Sequence, residues 1–505
     1  MGMILGIVLS AVGRFARSIA FARSLTMRFR SIGAFCAASI CSGLAIVGVA
    51  CVRAEAPAKS ASQPSVASSA ADADRAAAAK RGYEFIRTKP YLPAEFPETA
   101  FDEIWRTWPA DLQVKAKAAT PEERRKMALS RYGLPPAPEN ADTEGAIPMA
   151  YVSDGNGGWA ITCLSCHGGK VEGKPIAGLG NSHFAFKTLT NEIIRAWVLG
   201  GGKPQPWQLS RLTAPLGLSN GTTDAQVFSV QLTALRDDDL NLNMKNTVPD
   251  YEHHDLDAPP FWNVRKKKRL YIDGFAEKTP RTIMQFVLYP NNKGETVKGW
   301  ESDFRDILAW IESTEPPKYT GALDKALAMQ GAKVFNRVCA ECHGEYGPDS
   351  TYPERRVPIE EIGTDPLRLT GMPPEHRRRF GAGWFGEDGK RTVVEKPDGY
   401  IAPPLDGIWA SAPYFHNGSV PTLWHVLHPS ERPVVWKRTE DGYDHKRVGL
   451  EVTSYDTLPS DVRNDVERRG YFDTRLSGKS AAGHDYPDQL TEEEKQAVLE
   501  YLKTL

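Results

Sequence analysis

Two short stretches of this sequence, Cys163-Leu164-Ser165-Cys166-His167 and Cys339-Ala340-Glu341-Cys342-His343, decide what kind of protein the chain forms. Each has the form CxxCH, and a glycine follows each. The chain has seven cysteines, and the other three, Cys36, Cys41 and Cys51, lie near the N-terminus. Beyond residue 51, therefore, every thiol belongs to one of the two motifs, and none remains for a disulfide.

The CxxCH motif has a specific chemistry. Its two thiols add across the vinyl groups of a haem, and the adjacent histidine supplies the proximal iron ligand. A zinc site or a redox-active CxxC is the alternative, but two copies without any other cysteine nearby favour haem. The sequence therefore predicts two covalent haem c groups, with iron ligands and attachment points at His167, His343, Cys163, Cys166, Cys339 and Cys342.

Residues 1–54 have the form of a secretory leader. Arg28 and Arg30 supply its positive charge, residues 32–49 are apolar and mostly small, and Val52-Arg53-Ala54 resembles a signal-peptidase site. The leader predicts a periplasmic or secreted protein.

Two alternatives concern this leader. A start at Met27 would leave a signal of normal proportions, so residue 27 is a candidate for the true first residue. Cys51 could carry a lipid anchor, although Gly48 stands where such sites usually have a branched residue. The apolar run is also about as long as a short transmembrane helix, but small residues dominate it.

The composition is that of an ordinary globular protein, with 505 residues, 41% of them hydrophobic and 25% charged. The formal net charge of -1 argues against nucleic acid as a partner. The Ala/Ser-rich stretch 55–80 is typical of a flexible linker. Folded sequence is expected from Arg81, and a helical apolar pattern stopped by Pro316-Pro317 marks a boundary. We therefore expect a first haem domain over 81–317 and a second cytochrome c domain over 318–505.

Strand signals are few and short, so the predicted class is mainly α with long loops. The second domain begins as c-type cytochrome domains do, with an amphipathic helix over 323–338 that leads into the haem motif. Gly331 would let another backbone approach this helix closely, and the expected partner is the last helix, 491–505, with a capping box at its start. No clear helix leads into the first motif, where Asn156-Gly157-Gly158-Trp159 precedes it, so we expect an enlarged and modified first domain.

The segment Ala412-Pro413-Tyr414-Phe415-His416-Asn417-Gly418-Ser419-Val420-Pro421-Thr422-Leu423 resembles the one that follows the second haem in the di-haem cytochrome c peroxidase superfamily. Most of 81–505 is similar to that superfamily in motif order. The closest likeness is to the rubber-oxygenase-like branch, through 156–159 and Gly483-His484-Asp485-Tyr486. The resemblance implies an exported oxidoreductase whose first haem binds oxygen or peroxide and whose second haem transfers electrons.

The resemblance also implies the ligands of the second haem. Peroxidases have a methionine about fourteen residues after the histidine of the 412–423 segment, where this chain has Ser430. In the rubber-oxygenase branch a histidine near the C-terminus closes this haem, and His484 is similar in placement. We therefore expect His343 and His484 as the ligands. Met372 is the rival, a solvent-exposed loop histidine is the alternative for His484, and His416 is implied to bond near a haem edge.

For the first haem the resemblance leaves the sixth ligand open. His183 has the spacing of the removable distal histidine of the peroxidases, and a capping or loop histidine is the alternative. Ile272 stands where the peroxidases have a tryptophan between the haems. Tyr271 or Trp262 could replace that tryptophan as an aromatic bridge, or both could be core residues.

The likeness to the peroxidases also concerns the distal pocket. It puts Gln285 and Glu295 near a distal glutamine and a distal glutamate that moves a proton between peroxide oxygens. Phe286 would lie beside them. If Phe286 rather than Gln285 points at the iron, the pocket is apolar and suits dioxygen and an apolar substrate. A solvated loop acid is the alternative for Glu295.

Two further expectations concern binding partners. Relatives hold a bridging calcium ion with backbone carbonyls in the segment that reads Ala402-Pro403-Pro404 here. The basic run 265–269 could dock a small acidic redox protein, and a solvated surface face is the alternative.

The predicted function is rubber-oxygenase-like oxidation of an apolar organic substrate, with oxygen or hydrogen peroxide as the small-molecule oxidant. The alternatives are a cytochrome c peroxidase that reduces hydrogen peroxide and a protein that only carries electrons.

Overall fold

Helices account for most of the regular structure. The structure, a computed structural model, describes residues 66–214, 216–249 and 251–505. The predicted leader, its candidate start at Met27 and the candidate anchor Cys51 lie outside these residues. The helices are α1 (Val66–Thr88), α2 (Glu98–Asp102), α3 (Ala110–Ala118), α4 (Pro121–Arg131), α5 (Leu164–His167), α6 (Phe186–Leu199), α7 (Pro206–Ser210), α8 (Ala225–Ala234), α9 (Pro280–Ile283), α10 (Gly294–Gly299), α11 (Glu301–Ser313), α12 (Lys325–Val338), α13 (Ala340–His343), α14 (Ile359–Ile362), α15 (Leu367–Thr370), α16 (Pro374–Ala382), α17 (Leu423–Leu427), α18 (Asp465–Arg468) and α19 (Glu492–Leu502).

The strands form small antiparallel sheets. They are β1 (Phe96–Pro97), β2 (Tyr151–Ser153), β3 (Gly158–Ile161), β4 (Gly168–Val171), β5 (Lys174–Ala177), β6 (Arg269–Leu270), β7 (Ala276–Glu277), β8 (Arg356–Pro358), β9 (Gly399–Ile401), β10 (Val435–Asp444), β11 (Gly449–Tyr455) and β12 (Phe472–Asp473). Two sheets have three strands, in the orders β1-β3-β2 and β11-β10-β12, and the others are the pairs β4-β5, β6-β7 and β8-β9.

The predicted class, mainly α with long loops, is confirmed only in part, because the fold is mixed. The hairpin of β10 and β11 is the largest departure. Val435 pairs with Tyr455 at one end and Asp444 with Gly449 at the other, with an irregularity between Arg438 and Tyr443. Charged residues crowd this stretch and obscure its alternating pattern, so the sequence did not show it as a strand.

Helix α1 changes the interpretation of the Ala/Ser-rich stretch. Residues 66–80, which composition assigned to a flexible linker, form the first turns of this helix. Alanine has the highest helix propensity of any residue, and Ala79 and Ile86 are buried in the core. At Gly82 an added Cβ would collide with the backbone of Asp306, so the absence of a side chain lets α1 pack directly on α11.

The crossing of α12 and α19 beside the second motif is confirmed. An added Cβ at Gly331 would collide with the carbonyl of Ala497, so the two backbones touch at this position. The predicted capping box is present, because Thr491 accepts from the Glu494 N–H and the Glu494 carboxylate accepts from the Thr491 N–H.

Three large buried clusters form the core. The cluster beneath the second motif joins Val171, Leu179 and Trp262 to Phe335 and Val498, so it takes residues from both sides of position 317. The described residues fall in one compact unit, and the division into domains at 317 stays a prediction. Within the described residues, no helix has the length and apolar character needed to cross a membrane.

Candidate functional site

The first motif forms a single helical turn. β3 leads into it, and the His167 N–H donates to the Cys163 carbonyl at 3.0 Å. Residues at i, i+3 and i+4 of such a turn share one face, so both thiols and the imidazole point the same way. The His167 Nδ1 bonds to the Pro259 carbonyl at 3.0 Å, which leaves Nε2 free for a metal. Phe261 stacks on the His167 ring with centroids 4.2 Å apart.

The side chains of the first motif are partly accessible and are held in their neutral forms. Cys163 is accessible to a water-sized molecule, yet burial raises the pKa of its thiol to about 11. The His167 ring is partly accessible, and burial lowers its pKa to about 4. Two thiols and a neutral imidazole on one face of a helical turn are the groups that a covalent haem requires.

The second motif repeats this arrangement after a longer helix. α12 leads into it, and the His343 N–H donates to the Cys339 carbonyl at 3.0 Å. The His343 Nδ1 bonds to the Pro403 carbonyl at 2.9 Å, as His167 does with Pro259. Among the described residues, no three His, Cys, Asp or Glu side chains converge as ligands of one ion, so neither motif has the form of a zinc site.

His484 lies across from His343, with ring centroids 6.2 Å apart. An imidazole nitrogen binds a metal at about 2 Å, so two imidazoles on one metal place their centroids roughly 6 Å apart. Burial, followed by the charge of the neighbouring His343, lowers the pKa of His484 to about 3. The ring is therefore neutral, which is the form that binds iron. The separation fits an iron between the two rings.

The backbone around His484 is held in place from two sides. The Asn417 amide donates to the carbonyls of Gly478 and Ser480, and Asn417 is fully buried. Arg432 donates to the carbonyls of Ala481 and Gly483, at 2.7 Å each. His484 itself has φ 54°, a left-handed conformation that costs a non-glycine residue energy. These hydrogen bonds maintain that conformation.

The rival ligands are placed elsewhere or are already paired. Met372 packs with Phe380 and Phe385 in a different buried cluster from the second motif. Six of the remaining histidines have side-chain hydrogen-bond or ion-pair partners, namely His253 with Asp224, His254 with Gln226, His376 with Thr233, His425 with Thr422, His428 with Glu492 and His445 with Glu172.

A buried cation lies near His416 and was not found from the sequence. The His416 ring is 4.5 Å from that of Tyr400, and burial, followed by the charge of Arg368, lowers its pKa to about 3. Arg368 pairs with Asp273 at 3.2 Å, but its Nη1 is buried without a hydrogen-bond partner in the described part of the chain. An unpaired buried guanidinium nitrogen suits a carboxylate such as a haem propionate.

Gln285 is buried and fully hydrogen-bonded. Its amide nitrogen donates to Tyr271 and Thr282, and its amide oxygen accepts from Ser229. Glu295 is exposed on α10 and makes no side-chain hydrogen bond among the described residues. Gln285 is therefore buried and Glu295 exposed, and a joint role for the two in a distal pocket stays a prediction.

Phe286 and His183, the other two distal candidates, are half-buried. Phe286 belongs to the same short turn as Gln285, residues 284–287. The backbone two residues before His183 touches the first motif, because the Asn181 N–H donates to the Cys166 carbonyl at 2.7 Å. The His183 Nδ1 is 3.3 Å from the Ser182 hydroxyl, and burial lowers the pKa of His183. A role for either residue at the iron stays a prediction.

Trp262 connects the two motifs. Its indole N–H donates to the Asp406 carbonyl at 2.7 Å, three residues after the Pro403 carbonyl that holds His343. Its neighbour Phe261 stacks on His167. Trp262 is fully buried, so it is a core residue, and its role as an aromatic bridge stays a prediction. The hydroxyl of Tyr271, the other candidate for the bridge, accepts a hydrogen bond from the Gln285 amide.

Two predicted partner sites have competing contacts. The carbonyls of Ala402 and Pro403, expected near calcium, accept hydrogen bonds from Tyr352 and His343. In the basic run 265–269, Arg265 pairs with Glu315, Lys266 pairs with Asp406, and Arg269 donates to the backbone carbonyls of Gly274 and Phe275. Much of the charge that would dock a redox protein is therefore already paired.

Comparison with known proteins supports a cytochrome. Residues 399–437, which include His416 and Asn417, match the family described as RoxA-like, cytochrome c-like, and this supports a RoxA-like cytochrome family. The chain is 29% identical to the uncharacterized protein y4iM of Sinorhizobium fredii over 45% of this chain and 56% of that protein. It is 30% identical to the uncharacterized protein y4iJ of the same organism, over 38% of this chain and 40% of that protein. The chain thus spans about half the length of the curated relatives it matches.

Proposed function

We propose that this chain is an exported di-haem c-type cytochrome oxidoreductase, with an oxidant site at the first motif and an electron-transfer site at the second. The difference between the two motif histidines carries the proposal. His484 faces His343 at a separation that fits an iron between them, whereas among the described residues no second histidine ring is in aromatic contact with His167, whose stacking partner Phe261 lies against the face of the imidazole. A second imidazole gives an electron-transfer haem, and an open position gives a site for oxygen or peroxide.

Haem bound at the two motifs would supply iron for oxygen or peroxide at the first site and a one-electron store at the second. The chain orients both groups. Pro259 and Pro403 hold His167 and His343 with Nε2 free, and Trp262 with Asp406 provides a short covalent and hydrogen-bonded route between them.

For the reaction we favour oxidation of an apolar organic substrate by dioxygen. The support is that the Gln285 amide is already hydrogen-bonded to neighbouring side chains and that Glu295 is exposed, which is not the buried, free pair that a peroxide proton transfer would use. Reduction of hydrogen peroxide is the second candidate, because the Trp262 route would deliver the electron that a peroxidase takes from its second haem.

The test begins with haem content and the spectrum of the resting protein, with and without carbon monoxide. Two haems should resist acid-acetone extraction, and Cys339→Ala with Cys342→Ala should leave one. Carbon monoxide should bind one reduced haem. Binding at neither haem would indicate an electron carrier. A stable oxygen adduct with negligible peroxide turnover would support the oxygenase, and rapid turnover with a reduced cytochrome donor would support the peroxidase.

A further inference from the structure

A row of aromatic rings runs outward from the first motif histidine. Phe261 stacks on His167 at 4.2 Å, Trp310 meets Phe261 edge-on at 5.7 Å, and Tyr83 lies 5.1 Å from Trp310. Phe261 and Trp310 are buried, and Tyr83 is half-buried on α1. Neighbouring rings at these separations are in contact, so no gap interrupts the row.

The outer end of the row has a proton acceptor. The Tyr83 hydroxyl donates to the Glu139 carboxylate at 2.8 Å, and Glu139 is exposed and also pairs with Arg87 at 3.1 Å. Burial, followed by the hydrogen bond to Glu139, raises the pKa of Tyr83. The phenol is therefore protonated at rest, and it can lose an electron readily only if a base takes its proton at the same time. Glu139 is that base.

We propose that Tyr83 is a redox-active residue that supplies electrons from the protein surface to the first site through Trp310 and Phe261. This proposal rests on haem being bound at His167. It provides an electron entry that is independent of the second site and of Trp262. Tryptophan and tyrosine are the side chains easiest to oxidise in the row, and Phe261 fills the space between Trp310 and the iron ligand.

Hydrogen peroxide is the oxidant in this step. Peroxide accepts two electrons and two protons and leaves as two water molecules. Tyr83 supplies one electron through Trp310, the first site supplies the other, and the phenolic proton passes to Glu139. The products at the surface are a neutral tyrosyl radical and a carboxylic acid. The two protons that the peroxide takes up come from solvent. A phenolic one-electron donor in solution then reduces the radical, and Glu139 returns its proton to Tyr83. A second donor molecule reduces the first site through the same row, and the two donors release to solvent the two protons that the peroxide consumed.

The experiment uses the haem-loaded full chain, mixed with hydrogen peroxide, frozen and examined by electron paramagnetic resonance. The variants are Tyr83→Phe and Trp310→Phe, which keep the ring packing. Tyr91→Phe is the matched control, because Tyr91 also donates to a carboxylate, Asp303 at 2.9 Å, but contacts Trp300 and Phe304 instead. Haem content and thermal stability are measured first for the wild type and each variant. A wild type without haem would contradict the proposed function, whereas a haem-loaded variant that lacks the radical concerns the row of rings alone.

Wild type and Tyr91→Phe should show a tyrosyl signal that narrows when the protein contains ring-deuterated tyrosine. The signal should be lost in haem-loaded Tyr83→Phe and reduced in Trp310→Phe. Glu139→Gln, which keeps a hydrogen-bond acceptor but is a poor base, should slow the appearance of the radical. A tyrosyl signal that persists in Tyr83→Phe, or that disappears in Tyr91→Phe instead, would overturn the assignment, as would a haem-loaded wild type without any protein radical.

Discussion

Arg432 donates a 2.7 Å hydrogen bond to the carbonyl of Gly483, the residue that immediately precedes the candidate iron ligand His484. The same guanidinium nitrogen reaches the Ala481 carbonyl, and the arginine side chain is 6% exposed. The position of His484 therefore depends on a residue fifty positions away that does not touch the iron site.

Replacement of Arg432 by alanine should destabilise the protein and weaken the binding of His484 to the iron of the second haem. Hydrogen bonds to charged groups contribute about 1.5–3 kcal/mol each, so loss of the two bonds to this loop should lower the free energy of unfolding by about 3–6 kcal/mol. Urea unfolding of the haem-loaded protein measures this, and the absorption spectrum should show a high-spin fraction at the second haem. Arg432→Lys keeps the positive charge but loses the several N–H donors of the planar guanidinium. Its free energy of unfolding should lie between those of the wild type and Arg432→Ala. Unchanged unfolding and spin state would show that the loop is held by other contacts.

Loss of His484 itself should convert the second haem from low spin to high spin, because His343 would remain as its only imidazole ligand. We expect this in His484→Ala by absorption and electron paramagnetic resonance. His445→Ala, which removes a surface ion pair with Glu172, is the control and should leave the spectrum unchanged. A low-spin spectrum retained in His484→Ala would transfer the ligand role to Met372 or to another histidine.

Buried histidines should make the protein sensitive to acid. Burial, followed by the charge of Arg447, lowers the pKa of His425 to about 4, and the side chain is almost fully buried. The unfolded chain binds this proton near pH 6.5 and the folded chain only near pH 4, so stability falls as the pH drops through this window. The loss from this residue should approach about 3 kcal/mol at pH 4.

Denaturant unfolding at several pH values tests this. In His425→Asn the decline between pH 6.5 and 4 should be shallower than in wild type, while at pH 7.5 the variant should be less stable because the bond to Thr422 changes. An equal slope in the two proteins would show that His425 does not contribute to the acid sensitivity.

Exchange of Trp262 for phenylalanine should slow electron transfer between the two haems. The substitution keeps most of the buried ring but removes the hydrogen bond to the Asp406 carbonyl, which should cost about 1 kcal/mol of stability. Stopped-flow or pulse-radiolysis measurement of electron redistribution after partial reduction checks the rate. If the rate were unchanged, the electrons would take a route that avoids the Trp262–Asp406 contact.

Local patterns were sufficient for several elements. Short spacing places the thiols and the histidine of each motif on one turn, and the capping box at Thr491 sets the start of α19. The helical pattern before Pro316 became α11, and Gly331 permitted the close crossing of α12 and α19. Each of these depends on residues within a few positions, or on the lack of a side chain at one of them.

The sequence by itself determined the two CxxCH motifs and the local turns that carry them. Only the tertiary structure decided what surrounds them: Phe261 against His167, His484 across from His343, Arg432 behind the His484 loop, and the burial of Gln285 against the exposure of Glu295. These contacts join segments far apart in the chain. Their formation depends on how whole helices and loops pack to bury apolar surface, a property of the complete core that no short pattern encodes.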